Sequence, residues 1–282
     1  MPDARARLAS VEIGGRGPVT VMGVVNVSPE SFHAGSVYRG HDAMVRAALE
    51  MVEAGAALVD VGARSTAPYR QTAISEAEEA DRLVDAVARL VDKLPVPVSA
   101  DTSRPAVARA ALEAGARVVN DVSALADLAL AREVVAHDAS LITMAAPGPG
   151  RRPTTPVATV HAVLAEALAR ARAAGVADER IVLDPGIGFF RQAAMPWHEW
   201  DVAILAGLPV LHDLGRPLCV GVSRKSFLGA LTGRAATADR LAGSLAATTA
   251  AVLGGAALIR THDVRETVDA VRVAERIREA AS

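Results

Sequence analysis

Short apolar runs recur along the chain near residues 20–26, 57–62, 97–101, 117–121, 140–144, 181–184, 218–223 and 256–261, and alanine-rich segments with helical spacing fill the intervals. A strand covered on both faces reads as such an uninterrupted apolar run. The sharpest helix signal begins at Ser75, which forms a capping box with Glu78; Leu83, Val84, Val87, Leu90, Val91 and Leu94 follow on one face, and Pro95 and Pro97 end it. Strands and helices alternating at about thirty residues per unit predict an α/β fold, a (β/α)8 TIM barrel in a single domain over residues 1–282. A doubly wound open sheet is the alternative. Ahead of the barrel, Val11–Ile13, the turn-forming Gly14-Gly15-Arg16-Gly17 and Pro18–Thr20 read as a short β-hairpin able to plug one end.

A repeated phrase adds detail. Gly55-Ala-Ala-Leu-Val-Asp60, Gly115-Ala-Arg-Val-Val-Asn120 and Gly255-Ala-Ala-Leu-Ile-Arg260 each place a helix-ending glycine five residues before a polar side chain. The glycine suits a left-handed helix cap, the apolar residues suit the buried strand, and the polar group emerges at its carboxyl end, where barrel enzymes carry their chemistry. Asp60, Asn120 and Arg260 are therefore expected in one ring at the mouth. Asn26, Asp101 and Asp184, each ending an apolar run, extend that ring.

Composition narrows the function. A hydrophobic fraction of 51% supports a large core, and a formal net charge of −2 with dispersed arginines offers no surface for a nucleic-acid backbone. No apolar run approaches the ~20 residues that span a bilayer, and Met1–Arg5 lacks the apolar core of a signal peptide, so no membrane partner and a cytoplasmic location are expected. The lone Cys219 lies in an apolar strand and reads as core. Only two lysines occur, Lys93 and Lys225, and Lys225 follows the apolar run ending in Gly221-Val222-Ser223-Arg224. A compact ammonium in an arginine-rich chain marks a site that the planar guanidinium does not suit.

Carboxylates and an amide around a pocket suit a flat heterocycle with several N–H donors, while Arg260 and His262, two apart, can both donate to an anion. The segments Asn26-Val-Ser-Pro-Glu-Ser-Phe32, Asp60-Val-Gly-Ala-Arg-Ser-Thr66, Ala100-Asp-Thr102, Asn120-Asp121, Leu183-Asp-Pro-Gly-Ile-Gly-Phe189, Ser223-Arg-Lys-Ser226 and Arg260-Thr-His-Asp-Val264 together resemble the dihydropteroate synthase family, in order and over essentially the whole chain. The resemblance implies a transferase that condenses 6-hydroxymethyl-7,8-dihydropterin diphosphate with p-aminobenzoate or a related arylamine and releases pyrophosphate, in folate biosynthesis. It implies that Asp101, Asn120, Asp184 and Lys225 hold the pterin, with Met144 on the ring. Asn26 would bind Mg²⁺, Arg260 and His262 the diphosphate, and Thr66, Pro68, Phe189 and Ser226 would border the arylamine and diphosphate. Lys225, Arg260, His262 and Asp101 are the implied catalytic set, and a homodimer the implied assembly.

Several positions depart from the family pattern. Ala34 replaces an Asp in the first loop; in the second, Ala67 replaces an Arg while Arg64 stands where a Glu is usual. Ala145 replaces a His, and Phe190-Arg191 replaces Gly-Lys, with Phe190 expected to add bulk at the arylamine side. Arg64 or the Arg151-Arg152 pair are candidate partners for an arylamine carrying a ribosyl phosphate. His33 is read as a solvated loop residue, Trp197 and Trp200 as packing between helices or at a subunit contact, and residues 146–150 as a connection. A pterin- or folate-dependent methyltransferase and a non-catalytic pterin-binding paralogue are the competing functions.

Overall fold

Each of the eight apolar runs forms a parallel strand, and the strands close on one another. A computed structural model describes residues 4–27, 41–65, 74–148, 153 and 155–281. Within them β1 (Arg5–Leu8) and β2 (Val11–Gly14) precede β3 (Thr20–Asn26), α1 (His41–Glu53), β4 (Leu58–Gly62), α2 (Glu76–Lys93) and β5 (Val98–Asp101). There follow α3 (Pro105–Glu113), β6 (Val118–Asp121), α4 (Leu128–Ala136), β7 (Ser140–Met144), α5 (Pro156–Ala173) and β8 (Ile181–Asp184). The chain ends with α6 (Trp197–Ala206), α7 (Leu208–Leu211), β9 (Cys219–Val220), α8 (Ser226–Thr232), α9 (Leu241–Leu253), β10 (Leu258–Thr261) and α10 (Val264–Ala280).

The strand order is β8-β7-β6-β5-β4-β3-β10-β9. A parallel bridge between Leu183 and Leu218, with the Leu183 N–H donating to the Pro217 carbonyl at 3.0 Å, joins the two ends. The sheet is thus a barrel and not the open doubly wound alternative. β9 is shorter than the apolar run at 218–223 because the chain turns away after Val220, with Arg224 in a left-handed conformation at φ 54°.

The repeated glycines cap as their spacing suggests. Gly55, Gly115 and Gly255 take φ of 109°, 112° and 91°, and the following residue donates back to a carbonyl in the helix: Ala56 to Met51, Ala116 to Ala111, Ala256 to Ala251. These are the hydrogen bonds of a Schellman cap, which satisfies the last carbonyls and turns the chain into the next strand. Gly175 does the same at the end of α5, with Val176 donating to Ala171.

The N-terminal hairpin exists, but its strands are displaced from those expected. β2 pairs with β1, Leu8 opposite Val11, so the turn is Ala9-Ser10, and Gly14 and Gly15 form the exit toward β3. The earlier strand is hard to read because Ala6 and Leu8 are the only apolar residues in Arg5–Leu8. Both are buried, and with Ile13 they pack against Met22, Leu58, Ile142 and Val182 inside the barrel, closing its amino-terminal end. The larger core lies between barrel and helices. Trp200 and Phe190 belong to it, their rings stacked at 5.2 Å, so Phe190 is buried in the core and adds no bulk to the mouth.

Candidate active site

At the carboxyl ends of β4, β5, β6 and β10 the expected ring forms one hydrogen-bonded cluster. Arg260 donates through Nε to Asp60 Oδ2 at 2.7 Å and through Nη2 to Asp101 Oδ2 at 2.8 Å, and Asn120 Nδ2 donates to the same Asp60 oxygen at 3.0 Å. Asp60, Asp101 and Asn120 are buried. Among the described residues, the second oxygens Asp60 Oδ1 and Asp101 Oδ1 are buried without a hydrogen-bond partner. Unsatisfied buried acceptors are costly, and at a strand-end mouth they mark a place for a ligand's donors.

Electrostatics follow from that burial. Burial pushes the Asp101 carboxyl up to about 7, against the pull of Arg260 and with a further push from Asp60. Burial disfavours the charged form of Arg260, but the charges of Asp60 and Asp101 outweigh it and hold the guanidinium above its usual range.

The other side of the mouth is built on the turn after β8. Asp184 Oδ1 accepts the Gly186 N–H at 2.7 Å, and burial raises its carboxyl while the Lys225 charge opposes this. Gly186, at φ 70°, leaves room that a Cβ would take from the Ala145 carbonyl and from Met144 Cγ at 3.5 Å. Lys225 lies against this turn: Nζ donates to the Ile187 carbonyl and sits 5.2 Å from the Phe189 ring centre. Burial lowers the Lys225 ammonium pKa, opposed by Asp184 and Asp201. Gly221 opens the space between Arg260 and Lys225; a Cβ there would stand 3.7 Å from Arg260 Cβ and 4.0 Å from Lys225 Nζ.

The remaining site residues have these surroundings. His262 lies just past β10, its Nδ1 3.0 Å from Ser223 Oγ, which also accepts the His262 backbone N–H at 3.2 Å. Ser226 Oγ accepts from Arg191, whose guanidinium also donates to the Gly188 carbonyl and stacks 4.0 Å over Trp197. Arg224 is turned to Asp263, to which Nε and Nη2 donate at 2.8 and 2.6 Å, while Nη1 donates to the Thr237 and Ala238 carbonyls. It is a strut, and the basic pair of the sequence divides into one structural and one site residue.

Arg64 is occupied by Glu79, at 2.9 Å, and by Ser103. Glu79 is fully buried and also takes Arg104 and the Thr102 hydroxyl, so Arg64 serves a buried carboxylate rather than standing ready for a phosphate. Thr66, Pro68, His33, Ala34, Ala67, Arg151 and Arg152 lie outside the described residues.

Asn26 ends β3 in register with Gly62, which is in register with Asp101. A Cβ on Gly62 would meet Asn26 Oδ1 at 3.5 Å and Asp101 Oδ2 at 3.7 Å, so the glycine keeps a small oxygen-lined gap between them. Among the described residues no group of three or more His, Cys, Asp or Glu could cage a metal. Mg²⁺ binds through one or two protein oxygens plus water and phosphate oxygens, and this donor set fits that mode. Sequence reading missed Glu79 and Asp201. The available signal was a lone acid inside the otherwise apolar stretch Trp200–Ala206.

Comparison with known proteins places this geometry. The profile of the family described as "Pterin binding enzyme" matches residues 22–262. The dihydropteroate synthase of Escherichia coli K12 is 36% identical over 261 residues, covering 90% of each chain. The structure of Yersinia pestis dihydropteroate synthase with a sulfonamide drug superposes with a TM-score of 0.88 at 32% identity, over 98% of this chain and 99% of that one. The Xanthomonas albilineans dihydropteroate synthase, solved with 4-aminobenzoic acid, superposes with a TM-score of 0.86 at 39% identity over 97% of each.

Proposed function

The chain belongs to the pterin-binding enzyme family, and from that membership we propose that it is a transferase of the dihydropteroate synthase type. It condenses 6-hydroxymethyl-7,8-dihydropterin diphosphate with p-aminobenzoate, releasing pyrophosphate, in folate biosynthesis. The observation that carries this reading is the ring of Asp60, Asp101, Asn120 and Arg260 with two buried carboxylate oxygens that have no partner among the described residues, set opposite Asp184 and Lys225.

The roles follow from what each group can donate or accept. Asp101 and Asp184 accept the pterin's N–H groups, Asn120 both donates and accepts, and the Lys225 ammonium donates to a ring acceptor; Met144, on the neighbouring strand to Asp184, packs on the ring. The reaction breaks the bond between the exocyclic methylene carbon and the diphosphate oxygen and forms one from that carbon to the amine nitrogen, which then loses a proton. Arg260 and His262 receive the negative charge that develops on the leaving diphosphate, and the carboxylates of Asp101 and Asp184 stabilise the positive charge left on the pterin. Asn26 would hold a Mg²⁺, which would supply charge neutralisation to the diphosphate. A neutral aryl amine is already nucleophilic, so Phe189 and Ser226 need only hold it in line.

The assembly is a homodimer working in the cytoplasm. Val273 and Ile277, one turn apart on α10, are 59% and 50% exposed, and Leu253 is 46% exposed at the end of α9, which packs on α10 and whose Val252 carbonyl accepts from Arg278. Apolar exposure of this kind supports a partner surface, and a single cysteine that forms no disulfide suits a reducing compartment.

The decisive assay is pyrophosphate release from the pterin diphosphate with Mg²⁺, with and without p-aminobenzoate or its ribosyl-phosphate analogue. Release stimulated by p-aminobenzoate is expected. Stimulation by the analogue alone would change the arylamine, and pterin binding without release would leave the methyltransferase or the silent paralogue.

A further inference from the structure

Asp201 sits on α6, behind the turn that carries Phe189, and has no role in the reaction as described above. It is 1% exposed, in an apolar helix that packs on the equally apolar α8 and α9. Oδ1 accepts the Gly188 N–H at 2.7 Å. Oδ2 is buried and, among the described residues, makes no hydrogen bond. A carboxylate with half its valence unused is a poor choice for tethering one backbone N–H, because an amide would do so without the cost of burying a charge.

The cost is explained by what lies across Gly188. A Cβ on that glycine would stand 3.1 Å from Lys225 Cδ and 3.7 Å from Nζ, so the lysine stem lies directly against the residue that Asp201 holds. Arg191 donates to the Gly188 carbonyl and reaches Ser226. Two cations therefore converge on a turn held by two buried acids, Asp184 through the Gly186 N–H and Asp201 through the Gly188 N–H. We propose that Asp201 is a positioning residue for the transfer reaction: it pins the Gly186–Phe189 turn along which Lys225 lies and, together with Asp184, supplies negative charge to that ammonium from behind the turn. The role in catalysis rests on the synthase reading; the electrostatic coupling of Asp201 to Lys225 does not.

The charges that act on Asp201 are those of Lys225, Arg191 and His198, and burial raises its own carboxyl against them. Lys225 in turn responds to Asp184 and Asp201 as the favourable partners and to Arg260 and Arg191 as the unfavourable ones. Helices α7, α8 and α9 add no ionisable group. On α5, Arg170 pairs with Glu166 and Arg172 with Asp178, and His161 is the remaining titratable side chain.

The chain's own composition supplies the test, since Lys93 is the only other lysine and its side chain is 60% exposed. Acetic anhydride labelling of the full chain across the alkaline range, read by peptide mass spectrometry, gives the Lys225 titration with Lys93 as internal reference. Asp201→Asn retains an oxygen for the Gly188 N–H and removes only the charge. Its Lys225 titration is expected to fall by about one pH unit, a tenfold change in labelling at fixed pH, with Lys93 unmoved; the alkaline limb of kcat/KM should move with it. A Lys225 titration unchanged in Asp201→Asn but disturbed in Asp201→Ala would reduce Asp201 to a backbone tether and overturn the proposal. If Asp201→Asn does not fold, Lys225→Met reads the pair from the other side: the Asp201 carboxyl, followed by its carbon resonance, should titrate at higher pH, and an unchanged value would refute the coupling. Absence of pyrophosphate release by the parent protein would refute the synthase reading and leave the labelling result standing.

Discussion

Asp101 shows how burial and one neighbouring charge set a residue's chemistry. Its carboxyl is pushed up to about 7, largely by burial, although it accepts from Arg260 at 2.8 Å. An acid whose folded pKa lies above its unfolded value of 3.8 contributes stability that is fully present below that value and is lost as pH rises through about 7. Asp101→Asn should therefore unfold at relatively higher temperature than the parent above pH 7 and lose that advantage toward pH 4, a crossing that scanning calorimetry would show. Pterin affinity runs the opposite way, because the carboxylate accepts N–H groups through both oxygens, whereas a protonated carboxyl or an amide turns one donor toward them. Calorimetric titration should find affinity falling on acidification through about pH 7, with Asp101→Asn weak throughout; a parent affinity independent of pH would remove Asp101 from the pterin contacts.

At the scale of the element, α2 sets an exposed cap against a buried charge. Ser75 accepts the Glu78 N–H at 3.1 Å at the surface, and Ser75→Ala should cost about 1 kcal/mol. Glu79, next in line, is buried and takes Arg64, Arg104 and Thr102. Arg64 follows β4 and Arg104 follows β5, so one carboxylate ties α2 to two strand ends beside Asp101. Glu79→Ala leaves two guanidinium groups facing a cavity and should cost about 3 kcal/mol, at the lower end for a broken buried pair because both arginines retain some water. Chemical denaturation of the two variants would rank them; equal losses would mean that Glu79 is no more than a second cap. The sequence shows the capping box plainly. It does not show that Glu79 points inward, since an acid in a first turn is normally solvated.

For the whole molecule, the apolar residues Leu253, Val273 and Ile277 form the testable surface. Val273→Glu or Ile277→Glu should shift a dimer toward monomer in sedimentation velocity while leaving pterin affinity intact; a parent protein that sediments as a monomer would refute the assembly. Much of the architecture was legible in one dimension. Apolar runs, glycine caps and a polar residue after each run required only local chemistry to read, so strand number, barrel class and the ring of Asp60, Asp101, Asn120 and Arg260 followed from spacing. What the tertiary structure alone decided was partnership. It put Arg260 between two carboxylates, gave Arg224 to Asp263 and Arg64 to Glu79, turned Phe190 into the core against Trp200, drew Arg5–Leu8 into the floor of the barrel, and tied Asp201 to the Gly188 N–H against which Lys225 lies. Residue order determines which groups sit at a strand end. Whether a charge found there meets a ligand, water or another charge depends on segments far away in the chain that only barrel closure brings within reach.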